Sequence, residues 1–186
     1  ETFNYANDIS HDMVISRTDT FFGGVVVKAY ATNGIDSTAV YTQTYFLSGD
    51  LSKLNAKVVS ISLPKEDLFD PTNGVYYCFD TFGTRNRARA FIEIFDGKTK
   101  IGGVYGEIAV SGVGSSGLPM KSLRLYLKDP LDENDPAPDS FEYDLFDGKA
   151  TNSLGQAITS FDRLLLRNGG NDFNITMLRD VYAQSM

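Results

Sequence analysis

The chain has 186 residues, of which 42% are hydrophobic and 22% are charged, and its formal net charge is −7. This composition supports a folded core, excludes a disordered or fibrous protein, and argues against a general attraction to nucleic acid or to anionic membranes. No apolar run approaches the roughly 18 residues of a membrane span, and the single cysteine (Cys78) and single histidine (His11) exclude an internal disulfide and predict no metal site.

The first fifty residues predict a β-hairpin followed by a boundary. Residues 25–31 and 37–46 have the β-branched, alternating pattern of strands, and Asn33-Gly34 between them tolerates a positive φ. The polar segment 48–50 then ends the pattern. The sequence therefore predicts two antiparallel strands and a domain boundary close after them.

The next segment predicts a short helix and a second hairpin. Residues 58–63 form a mostly apolar strand, which Pro64 ends, and 65–69 has the pattern of one helical turn before a turn cluster at 70–74. Residues 89–95 and 100–110 flank Asp96-Gly97, which is again a hairpin signal. Strands therefore predominate through residue 110.

The last third predicts two more strands and one helix. Residues 122–128 alternate strictly as a half-buried strand, 129–139 is an acidic, proline-bearing loop, and 161–167 is a strand that ends at Asn168-Gly169-Gly170. Thr176 is a suitable cap for a helix whose apolar spacing runs to the end of the chain. Because the chain starts without an initiator Met or a signal peptide and stops within this helical pattern, we expect it to be part of a larger protein. The composition is consistent with a secreted parent.

A glycine-rich loop precedes the strand at 122–128. The run 112–117 matches G-x-G-x-x-G, and Lys121 follows four residues later. A dinucleotide-binding motif needs a helix next, but Pro119 and an alternating strand follow, so that interpretation fails. The loop is then either a kinase-like phosphate cradle, in which Lys121 supplies a point cation, or an ordinary flexible hairpin loop. The residues proposed to bind nucleotide are Gly112, Gly114, Ser115, Ser116 and Lys121.

A polar run surrounds the apolar strand that ends at residue 167. Its members are Arg163, Arg167, Asn168, Asn171, Asp172, Arg179 and Asp180. Charged groups this close to an apolar strand must pair or reach solvent. Arg167, Asn168, Asp172 and Arg179 therefore form either a structural clamp, with an aspartate fixing an arginine, or the rim of a site that binds anionic oxygens. The acidic loop 129–139 lacks the mid-loop glycine that a calcium loop uses, so we interpret it as solvated.

Three blocks of the sequence resemble the CotH kinase family, the spore coat protein H group. The segment 160–172, continuing through 176–185, is similar to the family's arginine–Asn-Gly-Gly segment. Residues 58–61 with 67–76 look like its opening strand and turn, and 119–126 with 140–146 look like its middle. Residues 1–47 look like the latter part of a chitobiase/hexosaminidase C-terminal-type β-sandwich module.

The resemblance implies an α+β, strongly β-rich architecture in two parts. Residues 1–48 would be the C-terminal part of a β-sandwich module, and 49–186 the N-terminal, mostly antiparallel-sheet part of an atypical kinase-like domain that is truncated in its helix at 177–186. One departure from the family lies at 110–113, where many members carry an Arg or His beside the glycine loop and this chain has Val-Ser-Gly-Val.

The function that the resemblance implies is protein phosphorylation outside the cytoplasm of a bacterium. The parent would use ATP and Mg²⁺ to phosphorylate Ser or Thr of coat or other cell-surface proteins, with its catalytic and metal-binding aspartates beyond residue 186, so this fragment would be inactive by itself. The alternative is a non-catalytic extracellular scaffold, adhesion or glycan-associated module. We expect a protein substrate or cell-surface partner and no membrane span, and an interrupted domain that exposes apolar surface could form a homodimer.

Overall fold

The structure is a computed structural model that describes residues 23–48, 51–54, 56–77, 86–112, 114–127, 141–169 and 175. The chain divides into two compact units, residues 1–50 and 51–186. In the first unit the strands are β1 (Gly23–Ala29) and β2 (Tyr41–Ser48). The second unit contains β3 (Val58–Ser62), α1 (Lys65–Phe69), β4 (Ala88–Asp96), β5 (Thr99–Ser111), β6 (Ser122–Tyr126), β7 (Phe141–Glu142), β8 (Ser160–Phe161) and β9 (Arg163–Leu166), with short 3-10 turns at Leu51–Lys53 and Ser115–Gly117.

The predicted first hairpin is present, with a longer connection than the sequence suggested. β1 pairs antiparallel with β2, from Gly24 opposite Phe46 to Ala29 opposite Tyr41. The turn is built around Asn33, whose Oδ1 accepts hydrogen bonds from the backbone N–H groups of Ile35 (2.9 Å) and Asp36 (2.7 Å), and Gly34 adopts a φ of +90°. Thr32 and Ser37 pair as an isolated bridge beside this turn, and the continuous strand β2 begins at Tyr41 rather than at residue 37.

The second unit is organised around one antiparallel five-stranded sheet in the order β3-β4-β5-β6-β9. The β4–β5 hairpin turns at Asp96-Gly97 as predicted, with Gly97 at a φ of +54°. Pro64 precedes α1, which is the single helical turn that the sequence indicated. The described part of the chain is thus strongly β-rich and antiparallel, as expected from its composition.

One face of this sheet carries the hydrophobic core. Alternate residues of β4, among them Ala90, Ile92 and Ile94, lie in one cluster with Ile108 of β5 and Leu125 of β6. Val75, Leu127 and Phe141 belong to the same cluster, and the partly buried side chains of Leu68, Phe161, Leu164 and Leu166 pack against it. Because side chains alternate along a strand, the residues between these positions must lie on the opposite face.

The opposite face carries a row of polar and aromatic residues. Arg89 lies opposite Glu107, Glu107 opposite Tyr126, and Tyr126 opposite Arg163, so the row crosses four strands in register. Arg87 joins it: its Nη1 donates to Glu107 Oε2 at 3.1 Å, and its guanidinium carbon lies 3.7 Å from the centre of the Tyr126 ring. The row combines an ion pair with a cation–π contact. Glu107 and Tyr126 in its middle are buried, whereas Arg89 and Arg163 at its ends are exposed.

Several predicted elements differ from the structure or lie outside it. The predicted strand at 161–167 is divided at Asp162, because Ser160–Phe161 (β8) pairs with β7 whereas Arg163–Leu166 (β9) pairs with β6. The acidic loop 129–139, the helix from Thr176, Cys78 and His11 lie outside the described residues.

Candidate functional site

The glycine-rich segment is the connection between β5 and β6, so a strand follows it as the sequence predicted. Gly112 leaves β5 with a φ of +101°, a conformation that favours glycine, and Ser115–Gly117 forms a 3-10 turn. A Cβ at Gly114 or Gly117 would meet no heavy atom within 4 Å. The backbone therefore requires glycine at Gly112, whereas the space around Gly114 and Gly117 is open to a ligand or to solvent.

Lys121 lies at the end of this loop, and its ammonium group is directed into the loop. Its Nζ donates to the carbonyl oxygens of Ser116 and Leu118, the second at 3.2 Å, and lies 5.3 Å from the centre of the Tyr76 ring. The Tyr76 hydroxyl in turn donates to the Pro119 carbonyl at 2.8 Å. In this conformation the lysine charge holds the loop closed on itself, and an anion at this point would compete with two carbonyl oxygens for it.

The two serines of the loop are Ser115 and Ser116. Ser116 is 1% exposed and belongs to the buried part of the loop. The side chain of Ser115 lies outside the described residues. The loop thus presents Gly112, Gly114 and its backbone at the surface, with Lys121 half-buried beneath it.

Asn168 joins the loop to the far end of the sheet. Its side chain is 4% exposed, and its Nδ2 donates to the Met120 carbonyl at 2.6 Å. The Ser122 hydroxyl donates to Asn168 Oδ1 at 2.9 Å, and the backbone N–H of Asn168 donates to Ser122 Oγ at 3.1 Å. The structure therefore brings Asn168 against the residues on either side of Lys121, which lie almost fifty positions away in the sequence.

Of the remaining candidates for the clamp in the polar run, the structure describes only Arg167. Arg167 is exposed just beyond β9, and Asp172 and Arg179 lie outside the described residues. The aspartate–arginine clamp therefore stays a prediction. Sequence reasoning had not assigned a role to Tyr76. Its signal was only an aromatic pair after a turn, and nothing local connects that pair with Lys121.

A buried ion pair lies on the polar face of the sheet, away from the loop. The Glu93 side chain is fully buried on β4, and Lys100 Nζ lies 2.7 Å from its Oε1. A Cβ at Gly103, the residue opposite Glu93, would lie 3.0 Å from the Phe91 ring and 3.1 Å from Lys100 Cε. Because Gly103 has no side chain, the space is open for the Lys100 side chain to extend to Glu93.

An exposed aromatic group adjoins Tyr76. The rings of Phe69, Tyr76 and Tyr77 have centroids 5.5 to 6.4 Å apart and are inclined to one another by 54° to 84°. Rings at such angles pack edge to face.

Two further findings on the described residues concern metal ligands and membrane-spanning helices. Within the described ranges no group of three or more His, Cys, Asp or Glu side chains is placed to hold a metal ion. No helix among those residues has the length and apolar character needed to cross a membrane.

Comparison with known proteins returned no similarity on which to draw. No family model, no curated protein and no solved structure matches this chain.

Proposed function

We propose that the second unit provides the phosphate-binding part of an ATP- and Mg²⁺-dependent, CotH-like protein kinase. The observation that carries the proposal is the position of Lys121: its ammonium lies directly against a glycine-rich loop between two antiparallel strands. Phosphoryl transfer needs a backbone that can approach phosphates closely and a cation beside them. Gly112, Gly114 and the backbone of 115–116 would supply the first, and Lys121 the second.

The substrate side of the proposal comes from the sequence resemblance. The parent protein would transfer the γ-phosphoryl group to Ser or Thr of extracytoplasmic proteins, such as those of a spore coat or cell surface. The described residues offer no ligand set for Mg²⁺, so metal-binding carboxylates would have to come from other parts of the parent. Under this proposal the 186-residue chain has no transferase activity by itself.

Calorimetric titration with Mg²⁺-ATP tests the proposal. It is carried out on this chain and on the full-length parent, each as wild type, Lys121→Met and Lys65→Met. Lys65 is an exposed lysine on α1 and serves as the matched control. Since a charge-assisted hydrogen bond contributes about 1.5–3 kcal/mol, Lys121→Met should weaken binding by roughly 10- to 150-fold, and Lys65→Met should leave it unchanged.

The outcome of the titration either locates the nucleotide site or contradicts the proposal. Binding by the parent only would place the nucleotide site across residues on both sides of position 186, and binding by both would place it within this chain. Absence of binding by a folded parent, or equal binding by the Lys121→Met variant, would contradict the proposal.

A second candidate function is a non-catalytic, cell-surface scaffold derived from a kinase. Its specific support is that the Lys121 ammonium already binds two carbonyl oxygens of its own loop. In a scaffold this would be a purely structural cap. Lys121→Met would then lower the thermal stability of the chain, while the wild type would show no affinity for Mg²⁺-ATP.

A further inference from the structure

We propose that Asn168 is a positioning residue for Lys121, which fixes where the ammonium group lies without contacting the phosphate itself. The role in nucleotide binding rests on the proposed function, whereas the placement of the lysine can be tested without any nucleotide. This role would explain why a buried carboxamide contacts a loop that lies almost fifty positions earlier in the sequence.

The contacts of Asn168 fall on the two residues that flank the lysine. Its Nδ2 holds the Met120 carbonyl at 2.6 Å, and its Oδ1 and backbone N–H both bind the Ser122 hydroxyl, at 2.9 and 3.1 Å. The Met120 carbonyl belongs to the peptide group that joins Met120 to Lys121. One side chain therefore fixes the peptide plane before the lysine and anchors the residue after it.

The same contacts argue that Asn168 is not itself a phosphate ligand. Its carboxamide oxygen and nitrogen both have partners within the protein, and the residue is 4% exposed. A phosphate could bind Nδ2 only by reaching this buried carboxamide and competing with the Met120 carbonyl for it. The geometry favours a role through Lys121 rather than direct contact.

The end of β9 makes this arrangement possible. Leu166, opposite Leu123, is the last residue of β9 to pair with β6, and Asn168 follows two positions later. Gly169 then takes a φ of +79°, which turns the chain immediately after the carboxamide. The polar run at the end of β9 thus determines the position of a loop that is distant in the sequence.

The test is an NMR measurement on the full chain labelled with [¹³C]lysine. A lysine held by two carbonyl oxygens beside a tyrosine ring should show two inequivalent Hε protons displaced by the ring current. The Lys121 signals are assigned by their disappearance in Lys121→Arg. Asn168→Asp keeps the acceptor for Ser122 but places a carboxylate oxygen against the Met120 carbonyl, so the Lys121 Hε protons should become equivalent while the other lysine signals stay in place.

Two further variants keep the result interpretable. Ser122→Ala removes two of the three contacts without adding charge, and it should shift the Lys121 signals in the same direction. It replaces Asn168→Asp as the test if that variant does not fold. Asn152→Asp is the matched control, because Asn152 also holds a turn through its side chain, at an exposed site in 152–156. It should leave the Lys121 signals unchanged.

These experiments test nucleotide binding and the placement of the Lys121 ammonium group separately. If Lys121 keeps inequivalent, ring-shifted Hε protons in both folded variants, Asn168 does not position it and the inference is overturned. If the signals collapse as expected, Mg²⁺-ATP affinity of the parent should also fall about three- to tenfold in Asn168→Asp, the loss expected for one hydrogen bond. A collapse of the signals in a parent whose wild type binds no nucleotide would support the placement and contradict the proposed function.

Discussion

Replacing Lys100 by Met should be among the most destabilising single changes on the surface of the sheet. Glu93 is fully buried, and Lys100, whose side chain is 29% exposed, lies 2.7 Å from it. At an effective dielectric constant of about 20, two charges at that distance attract by about 6 kcal/mol, most of which offsets their desolvation. Methionine keeps an aliphatic side chain of similar length and removes the charge, so the Glu93 carboxylate is left buried without its cation.

The expected loss in the free energy of unfolding is about 3 kcal/mol, at the lower end of the range for breaking a buried pair because water reaches Lys100. For a chain of this size that corresponds to a fall of roughly 6–12 °C in Tm. Urea unfolding followed by circular dichroism measures it. Lys98→Met, in the exposed turn of the same hairpin, is the control and should change stability by no more than about 0.5 kcal/mol.

A double variant separates the lost charge from lost packing. Glu93→Gln combined with Lys100→Met removes both charges and should recover most of the stability that Lys100→Met loses. A loss below about 1 kcal/mol for Lys100→Met, or a double variant no more stable than the single one, would refute the reasoning that an unpaired buried carboxylate is responsible.

Three further predictions concern the sheet and its turns. Gly106→Ala should destabilise by about 2–3 kcal/mol in urea unfolding, because the new Cβ would collide with the Tyr126 carbonyl oxygen of the neighbouring strand. Gly97→Ala should cost about 1–2 kcal/mol by the same assay, since its φ of +54° disfavours a side chain. The hydrogen bond from Lys57 lowers the pKa of Asp147, so this carboxylate contributes stability above its unfolded pKa of about 3.9 that is lost as the pH falls through its lower folded value. The wild type should therefore lose more stability than Asp147→Asn when the pH is lowered from 5 to 2, as measured by thermal unfolding across that range.

A specific outcome would contradict each of these predictions. Gly114→Ala, where a Cβ would meet nothing within 4 Å, should be close to neutral, and a similar loss at Gly114 and Gly106 would mean that steric overlap is not the cause. Stability unchanged in Gly97→Ala would contradict the turn geometry. Parallel acid profiles for wild type and Asp147→Asn would show that the ion pair with Lys57 does not form in solution.

Local signals in the sequence were sufficient for the hairpins and for the start of the loop. Asp96-Gly97 between alternating strands and Pro64 before a short helical turn predict their structures because turn geometry and capping depend on a few neighbouring residues. The rejection of a dinucleotide-binding motif at 112–117 depended in the same way on the strand that follows. These predictions agree with the elements β4, β5, α1 and β6.

Contacts between distant segments could not be predicted in this way. No periodicity relates Asn168 to Met120, and their contact depends on β9 pairing with β6. Glu93 lies in an alternating strand, a position that suggests solvent exposure, yet it is fully buried and lies 2.7 Å from the Lys100 ammonium. The division of the last strand at Asp162 likewise depends on distant partners, since β8 pairs with β7 and β9 pairs with β6.

The central claim is that the loop between β5 and β6 and Lys121 receive the phosphates of a nucleotide. The most direct test is the amide spectrum of the parent protein labelled with [¹⁵N]glycine and [¹⁵N]lysine, recorded with and without Mg²⁺-ATP. The account predicts that the signals of Gly112, Gly114 and Lys121 shift the most and that those of Gly97 and Lys65 stay in place. Unchanged loop signals in a folded protein, or shifts that concentrate elsewhere, would contradict it.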